Sequence, residues 1–362
     1  MQASVLFKEW LWRYERHLSS LALVLGFIVD SLTLRRVDLL LENVVLVSYL
    51  GIAGAGIVLM HLHGAQKICG ALVATASPLV PIAMQFAFGG LFSAFFIFYT
   101  RSAALGESWL FLVFLLALLI GNERFRARYT RLSFQVTIFF IALFSFFIFS
   151  VPVVVKTMGT LIFLLSGAVS LAVISFLVYL LRLIIPDNVH RAWKHIWRGI
   201  GGAYLVINLL YFANMIPPIP LALKDAGIYH GVTRTTDGTY EVLDEKRSLV
   251  ELIKPYHTIH VVPGEPVYAW SAVFAPTKLS TTVLHRWQYF DEQKDSWVTT
   301  TQIPFSVSGG RDGGYRGYSY KTALTQGKWR VDVVTPGGQV VGRMKFTVHY
   351  VDTSPELHRE AR

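Results

Sequence analysis

The chain has one cysteine, Cys69, so no disulfide can form within it, and cysteine usage fixes no redox compartment. Charge is scarce too. Asp, Glu, Lys and Arg make up 15% of the residues, against about 25% in an ordinary soluble domain. The scarcity is uneven: residues 1–220 hold 16 Lys and Arg with 8 Asp and Glu, while residues 221–362 hold 17 and 15. The net +10 is therefore +8 in an apolar half and +2 in the rest. Nucleic acid calls for a basic patch on a soluble face, so it is excluded as a partner.

Catalytic and metal signatures are missing as well. There is no Gly-x-Ser-x-Gly, no Ser-x-x-Lys and no arrangement of paired acids. His61 and His63 stand two apart at a helix end and point to different sides. His257 and His260 have no acid or thiol close by in sequence, and no His-Glu-x-x-His completes either pair. The glycine-rich run Gly309–Gly317 lacks the Gly-Lys-Ser/Thr ending of a phosphate loop and leads into a strand, so it reads as a wide turn. No metal, no cofactor and no reaction is assigned. Nor is there a small-x-small cleavage site after residues 1–17, an amphipathic aromatic segment expected to lie at the membrane interface.

Long apolar runs are what the first half does have. A spanning helix needs about 20 apolar residues. Seven stretches qualify or come close: 18–34, 43–62, 79–100, 107–121, 133–154, 158–184 and 197–217, with 107–121 the shortest in apolar core. Residues 66–78 read as a helix leading into the third span or as a re-entrant piece. With the N-terminus inside, twelve Lys and Arg fall in inner segments, including the cluster from Arg124 to Arg131, and four in outer loops: Arg35, Arg36, Arg101 and Lys156. That bias puts the C-terminal part outside. Trp193 and Trp197, in the basic segment His190–Arg198, form an interfacial anchor on the inner side.

Pro217, Pro218 and Pro220 stop the last helix, and 218–225 reads as a linker. Beyond it the pattern changes to alternation. Trp329, Val331 and Val333 alternate with Arg330 and Asp332; after Pro336-Gly337-Gly338, Met344, Phe346 and Val348 alternate with Arg343, Lys345 and Thr347. This is a β-hairpin pattern. Tyr268, Trp270, Ala272 and Phe274 share one face of another strand, and Val283, His285, Trp287 and Tyr289 one face of a further one. With strand-like runs at 296–305 and 315–323, residues 226–350 read as a small, Ig-like antiparallel sandwich. The polar tail 351–362 is expected to be flexible.

Two sets of residues are candidates for function. Polar groups inside spans are costly and often functional: here Asp30, Gln85 and Asn208, with Arg35 and Arg36 beside the first. The competing account is a self-neutralising cluster at headgroup level for Asp30, Arg35 and Arg36, and interhelical hydrogen bonding for the amides. Glycines such as Gly54, Gly56 and Gly90 are read as close-packing positions. In the β part, His285, Arg286, Trp287, Arg311, Tyr315, Arg316 and Tyr318 combine rings with cationic donors, which suits a glycan or peptide surface. The competing account is that these rings fill the core.

The strand Val283-Leu284-His285-Arg286-Trp287, the Gly309-Gly310-Arg311 turn and the strand Gly327-Lys328-Trp329-Arg330-Val331 carry a resemblance. Residues 255–350 are similar to the bacterial family called domain of unknown function 2914, with its His-Arg-Trp and Gly-x-Trp-x-Val strands. The resemblance implies a bacterial envelope context and transfers no active site. The combined expectation is an inner-membrane protein with its N-terminus in the cytoplasm and a periplasmic sandwich that binds a protein or glycan. The alternative is a transporter or lipid-linked membrane enzyme with its site among the helices.

Overall fold

In lipid a chain can satisfy its own backbone groups only as helix or closed barrel, and the apolar runs of the first half are helical. The computed structural model describes residues 27–34, 36, 38–67, 79–102, 104–124, 131–246, 256–322 and 324–362. Residues 27–33 are helical. There follow α1 (Leu40–Gly64), α2 (Leu79–Arg101), α3 (Leu105–Arg124), α4 (Leu132–Val155), α5 (Thr160–Ile184) and α6 (Pro186–Phe212). Two compact units result. The helices form the first; the second comprises Arg101–Ser108, Val155–Gly159 and Ile216–Arg362.

Four of the described helices, α1, α2, α4 and α5, are long and apolar enough to cross a membrane. The expected count of seven is therefore not met. In α3 the apolar stretch runs only from Glu107 to Asn122. In α6 the basic segment and the apolar segment, separate in the sequence reading, are one continuous helix. Its 27 residues extend about 40 Å at 1.5 Å per residue, and Arg191, Lys194 and Arg198 in its first half keep it out of the apolar set. Residues 1–17, positions 18–26 of the first expected span, Arg35 and the expected re-entrant piece from 68 to 78 lie outside the described residues.

Within the helical unit, α4 is buried nearly all round. Its phenylalanines meet α2 and α5: Phe139 packs edge-on against Phe88 and Phe144 stacks on Phe163. Gly56 and Gly90 are packing positions, as expected: a Cβ there would lie 2.3 Å from Met84 and 2.5 Å from Tyr49, whereas Gly51, Gly201 and Gly202, read the same way from sequence, have open space among the described residues. Trp193 and Trp197 share a face of α6, 5.6 Å apart.

The second unit holds eleven strands among the described residues: β1 (Ala222–Tyr229), β2 (Gly231–Arg234), β3 (Tyr240–Glu245), β4 (His257–Val261), β5 (Val267–Phe274), β6 (Ser280–Asp291), β7 (Ser296–Ser308), β8 (Tyr315–Lys321), β9 (Gly327–Val334), β10 (Val340–Tyr350) and β11 (Leu357–Ala361). They form three sheets, ordered β1-β5-β8, β4-β10-β9-β6-β7 and β11-β3-β2. All pairs are antiparallel except β4 with β10. The sheet of β1, β5 and β8 lies in the middle. One face, through Val267, Ala269 and Val273, packs on Trp287, Trp329, Val331 and Phe346 of the five-stranded sheet. The other, through Trp270 and Ala272, packs on Tyr240 and Val242 of the small sheet.

This corrects the expectation of a single two-sheet sandwich. Tyr268, Trp270, Ala272 and Phe274 do share a face, but β5 is buried on both of its faces, as a central strand must be. The third sheet comes from β2 and β3, in a part of the expected sandwich where the sequence reading named no strand, and from β11, in the tail expected to be flexible. The tail is not loose: β11 pairs with β3 over five positions, and Arg362 exchanges backbone hydrogen bonds with Tyr240 at 2.7 and 3.0 Å. β1 likewise begins inside the expected 218–225 linker.

Candidate functional site

β6 sends alternate side chains to opposite sides of its sheet. His285 and Trp287 point inward and are 0% exposed. His285 reaches across the core to the middle sheet: Nε2 shares a hydrogen with Ser271 Oγ and Nδ1 with Ser319 Oγ, both at 2.8 Å. Trp287 Nε1 donates to the same Ser319 Oγ at 3.0 Å. Burial pushes the His285 ring down to about 3, so it stays neutral and fastens two sheets together. Neither side chain is available to a partner at the surface; for these two candidates the competing account, that the rings fill the core, is the one that holds.

Arg286 points to the opposite side. There it faces Asp332 of β9, which faces Arg343 of β10, the three being register partners across three strands. Asp332 is fully buried under the two guanidiniums. Arg286 Nη2 donates to Oδ2 at 2.9 Å, and Arg343 donates through Nη2 at 2.8 Å and through Nε. Burial alone would raise the Asp332 carboxyl, but these partners outweigh it and hold it below the usual carboxylate range. Arg343 Nη1 also donates to Glu107 at 2.8 Å. Farther along the same face, Arg330 lies over Trp297 at 4.4 Å and Lys328 over Phe290 at 5.7 Å.

The other candidates gather at the edge of the middle sheet. On β8, Tyr315 turns toward the main core, while Arg316 and Tyr318 turn to the opposite face with Tyr320. Tyr318 and Tyr320 are 41% and 56% exposed. Their rings stand 6.1 and 5.4 Å from Tyr268 of β5, and Tyr318 stands 6.2 Å from Tyr240 of β3. The result is a tyrosine ledge backed by buried Trp270, whose Nε1 has no hydrogen-bond partner among the described residues. Sequence reasoning reached Tyr318 and Arg316 and missed Tyr268 and Tyr240. The two-residue spacing of Tyr268 and Trp270 was a usable signal; Tyr240 sits on a strand that the pattern did not reveal.

Arg311 is exposed in the turn between β7 and β8. That turn is spoken for sterically. Gly309 N and Gly310 N donate to Leu279 O and Ala275 O, and a Cβ on Gly309 would lie 1.7 Å from Pro276 O. The glycines let the turn lie on the neighbouring backbone and do not cradle an anion.

A second polar cluster was not foreseen. Glu245, at the end of β3, accepts from His230 Nε2 at 2.8 Å, His260 Nδ1 at 2.7 Å and His260 N at 2.7 Å. Burial would raise its carboxyl; the bonds from His230 and His260 outweigh that and hold it at about 2.

Arg36 and Asn208 are satisfied locally, and at Gln85 the backbone makes the contact. Arg36 forks onto Asp38 at 2.9 and 2.6 Å, Asn208 bonds back to Tyr204 O at 2.8 Å, and the backbone of Gln85 accepts from Asn122 at 2.9 Å. Asp30 is half-buried in the 27–33 helix. The sequence reading missed the pairing of His61 Nε2 with the fully buried Gln135 at 2.8 Å.

Residues 280–348 match the family model described as a protein of unknown function, DUF2914. The matched region runs from β6 through most of β10, so it takes in the Asp332 pairing and His285, Trp287 and Ser319 of the core tie, but not Ser271. No curated protein matches the sequence. Among solved structures, the alkylpurine DNA glycosylase AlkC of Pseudomonas fluorescens, bound to DNA containing an abasic-site analogue, aligns over 87% of this chain and 99% of its own, at 11% identity and a TM-score of 0.22. A likeness at that level carries no argument about fold or DNA.

Proposed function

We propose that this protein is anchored in the inner membrane of a bacterial envelope and that its β unit stands in the periplasm and binds a glycan on the tyrosine ledge. The observation that carries the reading is the ledge itself: Tyr268, Tyr318 and Tyr320 bring rings together at an exposed sheet edge. Exposed rings in a group, unlike rings scattered singly, mark a contact surface. Their flat apolar faces suit the C–H faces of sugars, while the phenol groups and Arg316 supply hydrogen bonds.

The membrane side of the reading is supported by charge. The segments joining α2 to α3 and α4 to α5 belong to the β unit and hold only Arg101 and Lys156 as basic residues. The opposite helix ends carry Lys67, Arg131, Arg182, Arg191, Lys194 and Arg198. Basic residues concentrate on the cytoplasmic side; with α3 and α6 crossing as well, the β unit stands outside.

The test uses the full chain in phosphatidylcholine nanodiscs on an array of bacterial envelope oligosaccharides. Retention is expected, with a loss of about tenfold when Tyr318→Ala and Tyr320→Ala are combined. Absence of retention by the unaltered chain, or retention indifferent to losing both rings, overturns the glycan reading. Capture of a protein by a photo-crosslinker at position 320, with no glycan retained, replaces it with a protein partner.

A further inference from the structure

At the edge of the middle sheet opposite the ledge, β1 borders a groove of about 400 Å³. It is lined by β1 from Leu223 to Ile228 and by His257, Arg343, Met344 and Lys345. Two irregularities shape it. The register of β1 on β5 slips between Leu223 and Asp225, so Lys224 is the extra residue of a bulge. A bulge releases a side chain from the ladder and aims it afresh. Opposite, β10 slips on β9 between Val340 and Gly342. A Cβ on Gly342 would lie 2.1 Å from Leu223 Cδ2, so the absence of a side chain there lets β1 lie close over β10.

The charges around the groove do not cancel. Asp225, the one acid in the lining, is answered by Arg362 at 3.2 Å. Arg343 is held by Asp332 and Glu107. Lys224 and Lys345 are both exposed and rest only over rings, Phe274 at 5.2 Å and Tyr256 at 5.5 Å. Among the described residues neither has a carboxylate partner. Two uncommitted ammonium groups beside a partly apolar recess are the complement of an anion with an organic body.

We propose that this groove binds a phosphate-bearing ligand, with Lys224 and Lys345 as its charged contacts and the β1 side of the groove receiving the uncharged part. Lysine suits this task because its ammonium is a mobile point charge with three donors, which a phosphate can share without fork geometry. The site is separate from the tyrosine ledge and stands or falls independently of it. The phosphate can come from a soluble phosphomonoester or from a phospholipid headgroup.

The experiment is amine footprinting of the full chain in nanodiscs: brief acetylation, then mass spectrometry of the peptides carrying Lys224 and Lys345. One arm adds glycerol 3-phosphate to phosphatidylcholine discs; the other uses discs of equal parts phosphatidylcholine and phosphatidylglycerol. Slower acetylation at both lysines in the first arm supports a soluble ligand, and slower acetylation in the second supports a headgroup. In either case Lys224→Gln should weaken protection of Lys345 about tenfold, while Lys224→Arg largely preserves it. Equal protection by chloride at matched ionic strength, no protection in either arm, or protection of Lys345 that survives Lys224→Gln overturns the proposal. Lys294, exposed in the β6–β7 turn, serves as the internal control for nonspecific effects.

Discussion

Arg343 holds Asp332 in a fork, Nε to one carboxylate oxygen and Nη2 to the other, from the neighbouring position on the adjacent strand. Asp332 has no exposure at all, and Arg286 closes it from the other side. A buried carboxylate deprived of its partners, or guanidiniums deprived of theirs, costs far more than the intact pair contributes. Asp332→Asn is therefore expected to destabilise the β unit by about 3 kcal/mol. Urea unfolding of the full chain, followed by tryptophan fluorescence, reads the shift. Arg286→Met, which removes one bond and leaves the fork, should cost less than Arg343→Met.

Acid should weaken the β unit in two separable stages. The folded value of His285, about 3, lies below its ordinary 6.5, so the unfolded chain takes the proton more readily. Its contribution is intact above pH 6.5 and falls as pH drops toward 3, by up to about 1.4 kcal/mol per pH unit. Glu245, held at about 2 against an ordinary 4.5, contributes fully above pH 4.5 and loses that contribution between 4.5 and 2. His285→Gln should flatten the stability profile from pH 6.5 downward, and Glu245→Gln only below 4.5. Unfolding midpoints measured across pH 7 to 3 distinguish the two.

The last strand makes a sharp comparison with the sequence. Deleting residues 353–362 removes β11 and the Arg362 bonds to Tyr240 and Asp225, exposing an edge of β3. Hydrogen exchange at β3 amides should speed up and the Tyr240 side of the ledge should loosen. A polar tail without structure would leave both unchanged.

How much was legible follows from what alternation and hydropathy can carry. The hairpin of β9 and β10 and the shared face of β6 were readable because apolar periodicity marks them directly. β3 and β11 were not: in β3 the apolar alternation of Tyr240 and Val242 is cut short by buried Asp244, and β11 is polar and largely exposed, as at Arg359. Asp332 was visible only as a polar position in the alternation, which says which face a residue takes and not what covers it. His285 and Trp287 misled in the same way: rings beside cations suit a binding surface or a core, and register decides which. The span count differs where, as in α6, one helix carries charged and apolar residues together.

The account rests on a β unit exposed on the periplasmic side with its tyrosine ledge open. Cys69 is the single native thiol, so a Cys69→Ser, Tyr320→Cys chain carries one reporter on the ledge. In intact spheroplasts a membrane-impermeant maleimide is predicted to label it without lysis. Labelling that requires lysis or inverted vesicles would put the β unit in the cytoplasm and contradict the account.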